Sequence, residues 1–499
     1  MHLWLKRVLW IIATFALVWM AAILYWQNTA RIPAQSELLI YLGLIPLAFL
    51  GAGWGIHKAV TYQSPPSADT AAAAKIKAGE YEAQKAFQDA EQQRNWHLNI
   101  VATTLQTSAG STAADVLAKL KEGDVQAELD SQLKNEDGFA VFSARIADLD
   151  VTETVDALNE WQKTSGSPDL QWSDAQLRAL HLASAGVSEL AAVAAGHPEV
   201  LLLEQRAEKG RAAIDDAVPS LQVAALWPPR WEQAHQLAAT GWLKSLVVAQ
   251  GWPERRIFMQ QSLPEQASPL ELLDQFCLKA GRTQLPTVGI LMACDSSIDQ
   301  DEVDALTSKS QLFGGKNTGG VKPGEVAAGL LFADHKQAQM FGQEALSKLH
   351  RASWSLRNKS ADERGKISAD LLGTVVAQAL ASGKVDAKQL KFVSADNDHK
   401  PNREAELAQM FNGTLPELDC LKDAAKVAQT CGSAQHAITV AALCVAHQYV
   451  VDEKSPAVCV SLQSPFLRAA VALNPHEIGE DSPASQNPAD TPVTASTAA

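Results

Sequence analysis

Residues 287–306 read TVGILMACDSSIDQDEVDAL, and residues 313–332 read FGGKNTGGVKPGEVAAGLLF. Val288–Cys294 and Val326–Phe332 are short, nearly uninterrupted apolar runs, the pattern of strands buried on both faces. Working outward, similar runs recur at Leu98–Thr103, Leu221–Leu226, Leu390–Ser394 and Ala457–Leu462. Helical spacing lies between them, at Ala183–Ala195, Pro269–Ala280, Ala369–Ala381 and Ala434–Tyr449. This alternation predicts an α/β fold whose sheet is covered on both faces. Gly314-Gly315-Lys316-Asn317 lacks the leading Gly and the following Ser/Thr of a phosphate loop, and it reads as a turn.

The chain has 499 residues, a formal net charge of −14 and 47% hydrophobic residues, with modest Gly and Pro. Collagen-like, mucin-like and fully disordered classes are excluded on those grounds. The acidic balance argues against a nucleic-acid partner, which favours a basic face. The apolar residues are unevenly spread. Val8–Trp26 carries no charge, Pro or Gly and reaches roughly 28 Å as a helix, about one bilayer core. A second uncharged run, Leu38–Ile56, follows a short polar loop, so a two-span membrane hairpin is expected within residues 1–62. Lys6, Arg7 and Lys58 flank the spans, and Arg31 stands alone between them. The positive-inside rule therefore places both termini in the cytoplasm.

Residues 63–96 read as a Pro/Ser linker followed by a stalk helix, and residues 474–499 read as a disordered Pro/Ser/Thr/Ala tail. The six Cys form no CxxC pair, and the twelve His show no metal-ligand spacing. No metal site and no cofactor are therefore expected.

The quoted stretch resembles the β-ketoacyl synthase branch of the thiolase-like superfamily. In that family a central strand ends in a D-S turn, and a G-x-x-P-G-E segment leads into a strand of small apolar residues. Asp295, Ser296, Gly320, Pro323, Gly324, Glu325 and Ala328 match, and Gly432 matches a downstream glycine. The resemblance implies a duplicated α-β-α-β-α layered domain over residues 97–473, with halves at about 97–333 and 334–473. It also implies that residues 457–473 form the closing strand and helix.

The family's activity needs a Cys at a helix N-terminus, where the helix dipole favours the thiolate, and two His that stabilise the oxyanion. By the family's spacing the Cys position falls at Gln266 or Ala267, the first His position at Asp396 and the second at Gln429. The family's upstream lysine falls near Ala424, two residues from both Lys422 and Lys426. Fallback candidates are Cys277, with Cys294 at a strand end, and His399 and His436. Arg403 and Glu406 resemble a pattern in degenerate ketosynthase-like proteins. Gln has no proton to trade, and Asp would repel a developing oxyanion.

The reading that follows is a membrane-anchored, catalytically inactive scaffold or adaptor at the bacterial inner membrane, with its large domain in the cytoplasm. The resemblance implies a homodimer or a heterodimer with a related thiolase-like subunit. A secretion adaptor or effector of a type VI-like system is the implied partner. The alternatives are a membrane-associated synthase or acyltransferase acting on acyl carrier protein, and a binder of acyl chains.

Overall fold

A computed structural model describes residues 15–21, 23–25, 45, 88–123, 127–165, 170–209, 217–260, 267–342, 346–363 and 365–476. Of the expected spans, only 15–21 and 23–25 of the first and residue 45 of the second are described. The rest, the linker, most of the stalk and the tail beyond residue 476 lie outside the described residues. Among the described residues no single helix is long and apolar enough to cross a membrane.

The first half of the body runs β1 (Leu98–Thr107), α1 (Ala113–Glu122), the hairpin β2 (Glu128–Lys134) and β3 (Ala140–Ser143), α2 (Thr152–Ser165), α3 (Asp174–Ala195) and α4 (Pro198–Glu208). It continues with β4 (Ser220–Leu226), α5 (Gln233–Ala249), β5 (Ile257–Gln260), α6 (Pro269–Thr283), β6 (Thr287–Ser296), α7 (Gln300–Ser308) and β7 (Glu325–Ala333). The second half runs α8 (His335–Met340), β8 (Ser347–Leu349), β9 (Ser353–Leu356), α9 (Asp370–Ser382), β10 (Phe392–Ala395) and α10 (Pro401–Thr414). It ends with β11 (Ala424–Lys426), α11 (Val427–Cys431), α12 (Gln435–Glu453), β12 (Ala457–Ser461) and β13 (Leu467–Pro475).

Apart from the β2–β3 hairpin, the strands join in the order β11-β10-β12-β13-β8-β1-β7-β6-β4-β5, with β9 added on β13. The strands at each end are parallel (β4, β5 and β6; β10, β11 and β12). Those at the centre pair antiparallel. The sheet is therefore mixed, and the antiparallel pairs close the seam between two parallel wings.

Hydrophobic burial explains the layering. Helices α3 and α5 cover one face of the first wing, and α9 and α10 cover the outer face of the second. Helix α12 is apolar all round, with Ala437–His447 continuously buried. A helix of that kind must be surrounded. It touches β6 and β7 of one wing and β10 and β12 of the other, with α1 and α6 beside it.

Helix starts follow the sequence. Ser173 and Gln176 form a capping box on α3, Ser268 caps α6, and Pro269 and Pro401 occupy the first turns of α6 and α10.

The segment expected as the closing helix is a strand, β13. Leu467–Leu473 is buried throughout and pairs with β12, β8 and β9. Its run of Ala, Val and Leu has no solvent-facing stripe, so the seam captures it as a strand. The expected turn at Gly314–Asn317 is present, closed by reciprocal backbone hydrogen bonds between those two residues.

Candidate functional site

The motif residues at the head of β7 form a clamp. Glu325 is fully buried. Its carboxylate accepts two hydrogen bonds from Arg178, at 2.7 and 2.8 Å, and one from the Ile146 N–H at 2.6 Å. The Ser296 hydroxyl also faces it at 3.3 Å. Asp295 holds Arg230, whose other arm reaches Glu302. Pro323 O accepts from the Ala144 N–H, and Gly324 O accepts from the Ser297 N–H.

Gly324 and Gly432 lie back to back. A Cβ on Gly432 would stand 2.8 Å from the Gly324 Cα, and Gly432 has φ 75° and ψ −177°, a region open in practice to glycine alone. These residues dock the first half onto the start of α12. They touch one another rather than an open cavity.

A cavity of about 420 Å³ opens beside the second wing. Strand β10 lies between β11 and β12. The helix leaving β10 packs on one face of the sheet, and the helix following β11 packs on the other. Such a divergence leaves a crevice at the carboxyl ends of the strands. Its walls are Ala267, Ser268 and Pro269 at the start of α6, Lys400 and Arg403 at the start of α10, and Gln435, His436 and Thr439 at the start of α12. Val321, Asp362, Asp398, Ser433, Ser461 and the loop Gln463–Leu467 complete it.

Of the described family positions, Ala267 lines this crevice and Asp396 is held by two of its lining residues, whereas Gln429 does not line it. Gln266 lies outside the described residues, which resume at Ala267. Asp396 follows β10 directly and is fully buried. One carboxylate oxygen accepts from the Thr439 and Ser461 hydroxyls, both at 2.6 Å, and the other from the Leu462 and Gln463 N–H groups at 2.6 and 3.1 Å. Burial pushes its pKa above the ordinary aspartate value, opposed by those donors. Four internal donors leave it no capacity to meet a ligand.

Gln429 donates its side-chain amide to Glu404. Glu404 also accepts from Lys426 and Asn397, each at 2.7 Å. Lys426, a lysine two residues off the family register, thus bonds the same carboxylate as Gln429. The charge partner that draws it in, 22 residues upstream, gave no signal of its own.

The fallback candidates divide. His436 lines the cavity. His399 packs edge-on to Phe313 at 5.0 Å, and its pKa is lowered by burial and then by Lys322. Cys277 lies in the third turn of α6, buried beside the Asp274–Arg351 pair, its thiol pushed up to about 12 by burial and then by Asp274. Cys294 is enclosed in β6, its thiol pushed well above the usual range by burial. Cys431 and Cys444 are likewise pushed up to about 12 by burial, and Cys459 well above its usual value. Cys420 is half-buried and also raised.

Arg403 and Glu406 are both structural partners. Arg403 is 2% exposed and bonds Asp362 and Asp398. Glu406 is fully buried between Arg468, held at 2.7 and 3.0 Å, and Arg357 at 2.7 Å. Asp362 and Lys400 carried no motif signal; Asp362 is held 38 residues from Lys400 only by the fold.

No family model and no curated protein matches this chain. Solved structures do. A ketosynthase from module 6 of the bacillaene synthase of Bacillus subtilis 168 superposes with a TM-score of 0.53 at 9% identity, over 76% of this chain and 72% of that one. An oxazolomycin ketosynthase domain from Streptomyces albus JA3453 gives 0.51 at 13% identity, over 80% and 77%. The fold is that of the thiolase-like ketosynthases.

Proposed function

We propose that this chain keeps the ketosynthase fold without its condensation chemistry and serves as a scaffold. One observation carries the reading: the crevice at the start of α6, α10 and α12 is lined by no thiol among the described residues. Condensation by a ketosynthase needs a thiolate nucleophile there. Five of the six Cys are buried, and burial raises their thiols above the range in which a thiolate forms readily. Asp396 and Gln429 are spent on internal hydrogen bonds, so neither is free to handle a proton or an oxyanion.

In this reading residues 8–26 and 38–56 tether the scaffold to the bacterial inner membrane with the large domain in the cytoplasm. It acts as a homodimer, or as a heterodimer with a related subunit, that presents a secretion adaptor or effector. The deciding experiment incubates the full chain with a Cys-directed ketosynthase inhibitor and, separately, with an acyl thioester of acyl carrier protein. Intact mass is then recorded. An unmodified mass in both arms is expected. A stoichiometric acyl or inhibitor adduct would restore the synthase or acyltransferase reading. Light scattering in detergent checks the dimer, and a monomer at micromolar concentration would count against it.

A further inference from the structure

The two wings of the sheet meet through one short strand. Each residue of β8, Ser347–Leu349, pairs with β1 on one side (Leu98–Ile100) and with β13 on the other (Leu473–Pro475). Among the described residues no other strand joins the first half to the second within the sheet. So short a bridge can open locally without unfolding the elements beside it.

Imidazoles hold both ends of this bridge. His447 of α12 is 4% exposed, and its Nδ1 lies 2.7 Å from the Ser347 hydroxyl. His350 follows Leu349 directly, and its backbone N–H donates to the Ala472 carbonyl at 3.1 Å. Both ring nitrogens of His350 are enclosed and without a hydrogen-bond partner. Its ring centre is 5.8 Å from that of His97, which precedes β1. His335, at the start of α8, is 6.3 Å from His97, and His476, just past β13, is 5.7 Å from His335. Four rings thus collect where the seam strands end. Among the described residues no three His, Cys, Asp or Glu side chains are grouped to hold a metal ion. The chemistry left to the cluster is protonation.

Its surroundings favour neutral rings. His97, Lys348 and Lys384 all act against a proton on His350. The end of α9 packs against the ring at Gly383, whose carbonyl already accepts from Asn474. The nearby acids are committed elsewhere. Asp274 of α6 holds Arg351 and the Ala352 N–H, and Asp334 accepts from the Thr287 and Gln337 N–H groups. Burial, then His97 and the two lysines, pushes His350 down to about 3, and burial pushes His447 down to about 4. Both lie below the ordinary value of 6.5, so the closed strand excludes protons that an opened strand accepts. Opening is therefore favoured as pH falls below 6.5.

We propose that β8 is an acid-released latch: protonation at the His350 cluster frees this strand from β1 and β13, while α12 still holds the two halves together. The latch goes beyond the scaffold reading and involves neither a thiol nor a partner.

The test is hydrogen exchange with mass spectrometry on the full chain in detergent with a chelator, at pH 7.5 and 5.0. Rates are corrected for the intrinsic effect of pH. Protection over residues 97–101, 346–351 and 471–476 should fall at least about thirtyfold between the two, the effect of one such histidine, while that of β6 and α12 changes little. His350→Phe keeps a ring that cannot titrate and should make this fall about tenfold smaller. Lys384→Glu sets a carboxylate beside the cluster and should make it about threefold smaller. Circular dichroism confirms that each variant is folded; because Lys384 is exposed, that variant keeps the test valid if His350→Phe fails to fold.

Protection of these segments that is unchanged between pH 7.5 and 5.0 overturns the proposal. So does an equal loss in β6 and α12, which would be global loosening, or an undiminished fall in the folded variants. An adduct in the inhibitor experiment would count against the scaffold alone and leave the latch standing.

Discussion

Two fully buried carboxylates stand at strand ends, one in each half, and they are held in opposite ways. Glu325 opens β7 and faces a cation, Arg178, which itself donates to the Ile146 carbonyl. Asp396 follows β10 and faces four neutral donors, two hydroxyls and two backbone N–H groups. The first lies in a closed clamp and is fully buried. The second forms the back of a crevice whose wall includes Thr439 and Ser461, the residues that hold it. An ion pair fixes the seam, whereas neutral hydrogen bonds hold the carboxylate behind the crevice.

The largest effect should come from breaking the first arrangement. Glu325→Gln leaves the partly buried Arg178 opposite a neutral amide and should cost about 3 kcal/mol in urea unfolding at neutral pH. A loss below about 1 kcal/mol would mean that the pair is dispensable to the fold. Next comes the contact that joins the halves. Gly432→Ala places a Cβ 2.8 Å from the Gly324 Cα at a positive φ, and should cost about 2–3 kcal/mol by the same measurement.

Asp396→Asn turns one acceptor into a donor facing donors and should cost about 1–2 kcal/mol. Its pH dependence sharpens the comparison. Because burial raises the folded-state pKa, the wild-type carboxyl contributes most below the ordinary aspartate value of 3.8, and this contribution is lost as pH rises through the raised value. The margin of wild type over Asp396→Asn should therefore be widest in acid and narrow as pH rises. A margin that widens with pH would show that the four donors outweigh burial.

The smallest perturbation is a thiol count with an aromatic disulfide reagent. One equivalent, at Cys420, is expected in the native chain, and six after unfolding. Rapid native reaction at Cys277 would reopen the enzymatic reading.

Much of the fold was legible. The runs at 221–226, 288–294 and 326–332 fall within β4, β6 and β7, because a strand covered on both faces must be apolar at every position. Short strands such as β5, β8, β9 and β11 carry too few residues to declare a period. The run Leu467–Leu473 reads equally as helix or strand, since periodicity cannot separate two kinds of full burial. At the site, Asp396 and Gln429 were visible as departures from a family pattern, and His436 as a fallback. Lys400 and Asp362 were not, because a salt bridge between a loop and a helix start leaves no spacing in sequence.

The sequence by itself determined that this is an alternating α/β body with a ketosynthase-like central motif, since hydrophobic pattern and local turn chemistry act over a few residues. It also determined that no Cys stands at residues 261–268, where the family's nucleophile falls. Only the tertiary structure decided that three helix N-termini share one cavity, that Arg178 reaches Glu325, and that Asp396 is saturated by its neighbours. Those facts rest on long-range packing around α12, where burial is collective and no single segment encodes which charge will face which.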